Sequence, residues 1–231
     1  MSFLWKSSIG RKLIMSITGL FFVLFLVFHM SMNIVVIFSP AAYNMICAFL
    51  GANWYALAGT MVLAAGFLIH LVYATVLTLQ NRKARGEERY EVSKQGVSWA
   101  SRNMFVLGVV IILGLVLHLF NFWSKMQLVE LMGGHENSLG LSPADGANLI
   151  LYTFSNPVYV VIYLVWLVAL WFHLTHGFWS AFHTIGWSNK VWLPRLKTIS
   201  NIVATIIFFG FAAVVVYIFG VSLGTGFNWG F

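Results

Sequence analysis

Four histidines could do chemistry here because of where they sit. His29, His70, His118 and His173 each lie deep inside a different long apolar run. A titratable side chain in hydrocarbon is costly, so in such a run it marks a functional site. Neutral imidazole is above all a metal ligand, through either ring nitrogen. The segment Leu170-Trp171-Phe172-His173-Leu174-Thr175-His176-Gly177-Phe178-Trp179 adds His176, one turn beyond His173 and in competition with it as a donor. His183 falls near the end of the same run, and His135 lies in a polar stretch as a solvated side chain.

The elements that must position these rings follow from composition. The chain has 231 residues, 60% hydrophobic and 8% charged, with a mean hydropathy of +0.87. A soluble domain needs far more charge on its surface, so this composition excludes one. Apolar runs of about 20 residues or more select spanning helices over barrel strands. They fall at about residues 13–38, 54–79, 103–123, 157–182 and 198–223. Ser39-Pro40 stops the first, residues 41–53 read as an interfacial turn or half-helix, and residues 125–156 form the longest polar connection. The first run is too long for the apolar part of a signal peptide. A single cysteine, Cys47, excludes an internal disulfide and reads as a small apolar filler. The pI of 9.7 needs no nucleic-acid partner. With the N-terminus in the cytoplasm, 12 of the 13 lysines and arginines lie inside and only Lys125 outside, so the C-terminus is expected outside.

Depth then pairs the histidines. His29 lies 17 residues beyond Lys12 and His118 16 beyond Arg102, both on outward-running helices. At about 1.5 Å per residue, both belong to the outer half. His70 lies 16 residues past Trp54 and His173 16 past Pro157, on inward-running helices, so both belong to the inner half. Two imidazoles at one depth on different helices form the axial donor set of a haem iron. The sequence therefore reads as a holder of two haems. Gly66, Gly114 and Gly177 lie four residues from His70, His118 and His173, where a missing side chain would leave room for a flat macrocycle, although glycine also serves close helix packing. Zinc or copper would want a thiolate, carboxylate or third imidazole at the same level. A histidine-lined transporter would be expected to show broken helices or midplane acids.

These residues carry a resemblance. Five spans, a depth-matched histidine in each of the first four, Ser16-Ile17-Thr18-Gly19-Leu20 ahead of His29, and His173-Leu174-Thr175-His176-Gly177-Phe178-Trp179 resemble the cytochrome b subunit of succinate dehydrogenases and fumarate reductases, in its five-helix dihaem form. The resemblance implies an all-α membrane protein: one transmembrane cytochrome b domain over residues 1–231, its five helices in a bundle around two stacked haem b groups. It implies ligation by His70 and His173 to the inner haem and by His29 and His118 to the outer one. It further implies a bacterial inner membrane location, and flavoprotein and iron–sulfur partners on the cytoplasmic face. Between those partners and a membrane quinone, menaquinone by resemblance, this subunit would carry electrons. The alternative is the dihaem cytochrome b of a formate dehydrogenase or hydrogenase, which typically has four helices.

Ser16, Trp99, Arg102 and His183 are candidate contacts for the inner haem's propionates, and each reads equally well as an ordinary interfacial residue. Two haems at different depths make sense if quinone reacts near the outer one, with Asn33 and Asn44 as candidate hydrogen-bonding residues. Some members of the family carry a carboxylate near the fourth-helix ligand; here Trp171 stands two residues before His173, and the six acids all read as loop residues. Electrons moving inward from quinol to fumarate would then leave the inside negative.

Overall fold

The computed structural model describes residues 7–85, 98–187 and 189–224, and all of their regular structure is helical. Trp5, Lys6, Glu87, Glu88, Arg89, Glu91 and the tail 225–231 lie outside the described residues. Helix α1 is Ser8–Phe38, α2 Pro40–Phe49, α3 Trp54–Arg85 and α4 Trp99–Asn121. A 3-10 turn at Trp123–Lys125 leads to α5 (Gln127–Leu131), α6 (Gly146–Phe154), α7 (Pro157–Thr184) and α8 (Trp192–Gly224). Among the described residues α1, α3, α4, α7 and α8 are long and apolar enough to cross a membrane, the make-up of a multi-pass membrane protein. Their exposed side chains are largely apolar, among them Leu24, Met61, Leu113, Val165 and Ile206, as lipid contact requires.

Local chemistry sets the helix ends. Ser39 leaves the helical region at φ −156°, accepts the Ala42 N–H at 3.1 Å and places Pro40 in the first turn of α2, so one dipeptide ends α1 and starts α2. At the end of α7, Gly186 takes φ +105°, its N–H bonds the His183 carbonyl at 3.3 Å, and the Trp187 N–H bonds that of Phe182 at 3.1 Å. This is a Schellman end, closed by stacking of the Phe182 and Trp187 rings at 5.4 Å. The Asn189 side chain accepts the Val191 and Trp192 N–H groups and opens α8, with Pro194 in the first turns, where a missing N–H costs little. α3 and α8 overrun the apolar limits of Leu79 and Thr198. An apolar run measures hydrocarbon thickness, and a helix continues past it wherever basic side chains reach water.

The chain packs as two compact units. The first comprises Met1–Phe25, Val62–Val109 and Leu170–Thr205, the second Leu26–Met61, Val110–Ala169 and Ile206–Phe231. Each takes one segment from every spanning helix. In the first, the fully buried Ser200 hydroxyl sits 3.0 Å from the carbonyls of Leu174 and Thr175, and the Trp171 indole donates to Thr205 at 3.0 Å, tying α8 to α7.

The second unit corrects the reading of residues 125–156 as a polar connection. Leu149, Ile150 and Phe154 of α6 are buried, and α6 packs into a core with Val36, Tyr43, Tyr163, Val214 and Ile218. Asp145 caps α6 and accepts the Asn44 amide at 2.9 Å, while the Asn44 carbonyl accepts the Ala147 N–H at 2.8 Å. Buried Gln127 accepts from Thr60 and Trp123 and donates to the Gly51 carbonyl. Glu130 lies on α5, not in a loop, and accepts the Ala52 N–H. Glu130, Glu136 and Asp145, the described acids, all lie outside the spanning helices.

Candidate functional site

The two histidine pairs fall one to each unit. His70 and His173 belong to the first, His29 and His118 to the second.

In the second unit the His29 and His118 rings face each other with centroids 5.8 Å apart and planes at 88°. Two imidazoles trans on one iron, at about 2 Å per Fe–N bond, have centroids roughly 6 Å apart. The pair therefore stands close to the spacing of a bis-imidazole site. Aromatic side chains wall it in: Phe122, Trp166 and Tyr163 lie 5.1, 5.9 and 6.4 Å from His118, and Phe211 lies 5.6 Å from His29. The Tyr163 hydroxyl accepts from the buried Asn121 amide at 3.2 Å, which fixes its ring. Asn33 donates to the His29 carbonyl at 2.8 Å and reaches the ring nitrogen Nδ1 only at 3.5 Å, too long to hold a tautomer. Its carbonyl accepts the Tyr43 hydroxyl at 3.1 Å. Both candidate quinone contacts, Asn33 and Asn44, thus have their amides engaged within the fold.

Gly114 differs from expectation. A Cβ there would overlap the Trp166 indole, which lies flat on the bare backbone and donates to the Ile111 carbonyl at 3.1 Å. The glycine seats a tryptophan, and the indole rather than open space flanks His118.

In the first unit Thr18 holds His70. Its hydroxyl lies 2.9 Å from the Ile14 carbonyl and 3.0 Å from His70 Nδ1. One hydroxyl proton serves the carbonyl, so toward the ring the oxygen accepts. That places the imidazole proton on Nδ1 and leaves the Nε2 lone pair free, the tautomer a metal ligand needs. A Cβ on the neighbouring Gly19 would make only ordinary contact with His70 Cε1, at 3.5 Å. Thr18 is thus the working residue of the stretch Ser16-Ile17-Thr18-Gly19-Leu20, although the sequence alone assigned it no role. A hydroxyl side chain one residue before a glycine inside an otherwise apolar run was the signal. Phe22 packs edge-on to His70 at 5.6 Å, and Phe21 and Phe22 fill the face of Gly66. The Nδ1 atoms of His173 and His176 are buried with no hydrogen-bond partner. A Cβ on Gly177 would find only Met104, at 3.9 Å, so that face has room.

The remaining candidates are less enclosed. Ser16 is buried, but its hydroxyl donates to the Lys12 carbonyl at 2.9 Å. Trp99 is half exposed against Phe172, and Arg102, His183 and His135 are exposed.

The donor set is one of paired imidazoles, the kind that axial ligation uses. Each unit holds one of the two candidate pairs, and among the described residues no three His, Cys, Asp or Glu side chains gather as a closed site for a bare metal ion would require. The buried, unpartnered nitrogens of α7 and the aromatic walls suit a large apolar group held by axial ligands. No family model matches this chain, and no curated protein or solved structure matches it either.

Proposed function

We propose that this chain is a dihaem cytochrome b of the succinate dehydrogenase and fumarate reductase type. It would anchor flavoprotein and iron–sulfur subunits in a bacterial inner membrane and exchange their electrons with a quinone, menaquinone by resemblance. The observation that carries the reading is the facing pair His29 and His118 at 5.8 Å, with a second pair, His70 and His173, in its own packing unit.

Bound between such pairs, haem supplies a one-electron carrier. The chain's own residues do the rest. Thr18 keeps His70 in the tautomer that presents Nε2. Phe122, Tyr163, Trp166 and Phe211 wall in His29 and His118. The described acids stay outside the spanning helices, so these helices offer no carboxylate to carry protons beside the electrons. Quinol oxidation near His29 and His118 would then build a potential, inside negative. Asn33 and Asn44 are engaged in holding α1, α2 and α6, and the reading does not need them as quinone contacts.

The test is a reduced-minus-oxidised optical spectrum of the purified native complex, with its subunits identified by mass. Two low-spin b-type haems are expected. His70→Ala or His173→Ala should remove one, and His29→Ala or His118→Ala the other. A wild-type complex without haem absorption overturns the proposal.

A further inference from the structure

His176 stands outside the ligand pairs proposed above, and its Nδ1 is buried without a hydrogen-bond partner. A buried ring nitrogen left unpaired costs about 1–3 kcal/mol, so one that persists in a fold marks a place for a partner. Its ring lies edge-on to Trp179, centroids 5.1 Å apart at 85°. The Lys197 ammonium sits 5.0 Å over that same indole. One indole thus carries an imidazole at its side and an ammonium on its face.

Among the described residues of the first unit there is no carboxylate to answer that charge: the described acids, Glu130, Glu136 and Asp145, all belong to the second. An ammonium over an aromatic face beside a buried, unpaired imidazole is a site for an anionic oxygen group. The imidazole donates in its neutral form and the ammonium supplies the charge. His176 stands one turn beyond His173 on α7, on the side of Lys197. The residues first considered for this task serve it less well. The Ser16 hydroxyl is bonded to the Lys12 carbonyl, and Arg102 and His183 are exposed.

We infer that His176, Trp179 and Lys197 form an anion cradle that holds a propionate carboxylate of the haem ligated by His173. This rests on the dihaem reading above. Lys197 and His176 act here as positioning residues, fixing the group's rotation and neutralising its charge.

Redox titration of the purified complex tests it, the inner haem being the wave absent from His70→Ala. Removing the ammonium in Lys197→Gln leaves the carboxylate's charge uncompensated and favours the oxidised form. The expected effect is about a tenfold fall in the reduced-to-oxidised ratio at fixed potential, or about 59 mV for one electron. His176→Phe should shift the same wave in the same direction, Lys197→Arg should restore it, and the outer wave should stay in place. Unchanged inner waves in Lys197→Gln and His176→Phe, both still folded with two haems, overturn the cradle while leaving the dihaem reading intact. A lipid phosphate is the other source of an anionic oxygen. Loss of co-purified phosphatidylglycerol from Lys197→Gln with no redox shift assigns the cluster to a headgroup and overturns the propionate. A wild-type complex with no haem removes both readings together.

Discussion

Thr18→Val isolates one hydrogen bond. Valine matches threonine in shape and in its modest helix propensity, so α1 keeps its form. The hydroxyl's own bonds to the Ile14 and Met15 carbonyls are dispensable, because those carbonyls already serve the helix ladder. What disappears is the 3.0 Å contact to His70 Nδ1. A partner lost from a buried polar group costs about 1–3 kcal/mol. Loss of the group that orients a ligating histidine lowers metal affinity about 10–100-fold, or about 1.4–2.8 kcal/mol. The two routes agree. The assay is transfer of the haem lost in His70→Ala to an excess of a haem-scavenging apoprotein, followed optically. Thr18→Val should weaken retention of that haem about 10–100-fold, Thr18→Ser should stay near wild type, and the other haem should be unaffected. Equal retention in wild type, Thr18→Val and Thr18→Ser would refute the assignment of Thr18 as the residue that seats His70.

Three further outcomes follow from packing. Gly114→Ala pushes a methyl into the Trp166 indole and should cost about 1–3 kcal/mol, read as a lower unfolding temperature, while Gly59→Ala, which meets nothing, should be neutral. Asn44→Ala strands the Ala147 N–H and frees Asp145 and should cost about 1–3 kcal/mol; a variant with unchanged stability and altered quinone kinetics would return Asn44 to the quinone. Burial pushes the Cys47 thiol up from about 9 to about 11. The folded protein should therefore resist alkylation at pH 8. Because the folded value is the higher one, this thiol's contribution to stability is complete below pH 9 and fades between pH 9 and 11. Alkylation as fast as that of a free thiol at pH 8 would contradict the buried placement.

The spanning helices could be read from sequence because lipid imposes one strong rule, a long apolar run, and the histidines stood out against it. Their pairing came from counting along helices of fixed rise. What could not be read depended on contacts between distant segments. Leu149–Phe154 is too short an apolar run to span, and Asp145 ahead of it looks like loop polarity until Asn44 is found opposite. Gly114 promised space because a bare backbone says nothing of which side chain comes to lie on it, and here Trp166 does. Thr18 was visible as a motif residue, but its partner 52 positions away was not.

The clamp between Asn44 and Asp145 also orders events at the ribosome. Its two halves are 101 residues apart in the chain. At about 5–20 residues per second, roughly 5–20 s separate their synthesis. Throughout that interval α2 has emerged with the Asn44 amide unanswered and no α6 to cover Tyr43 or Cys47. The clamp therefore closes late in biogenesis, after α4 has been made and as α7 begins, and the core around it is complete only when α8 supplies Val214 and Ile218. His29 must wait for His118 in the same nascent unit, so a ligand held between them can be loaded only after α4 is in place.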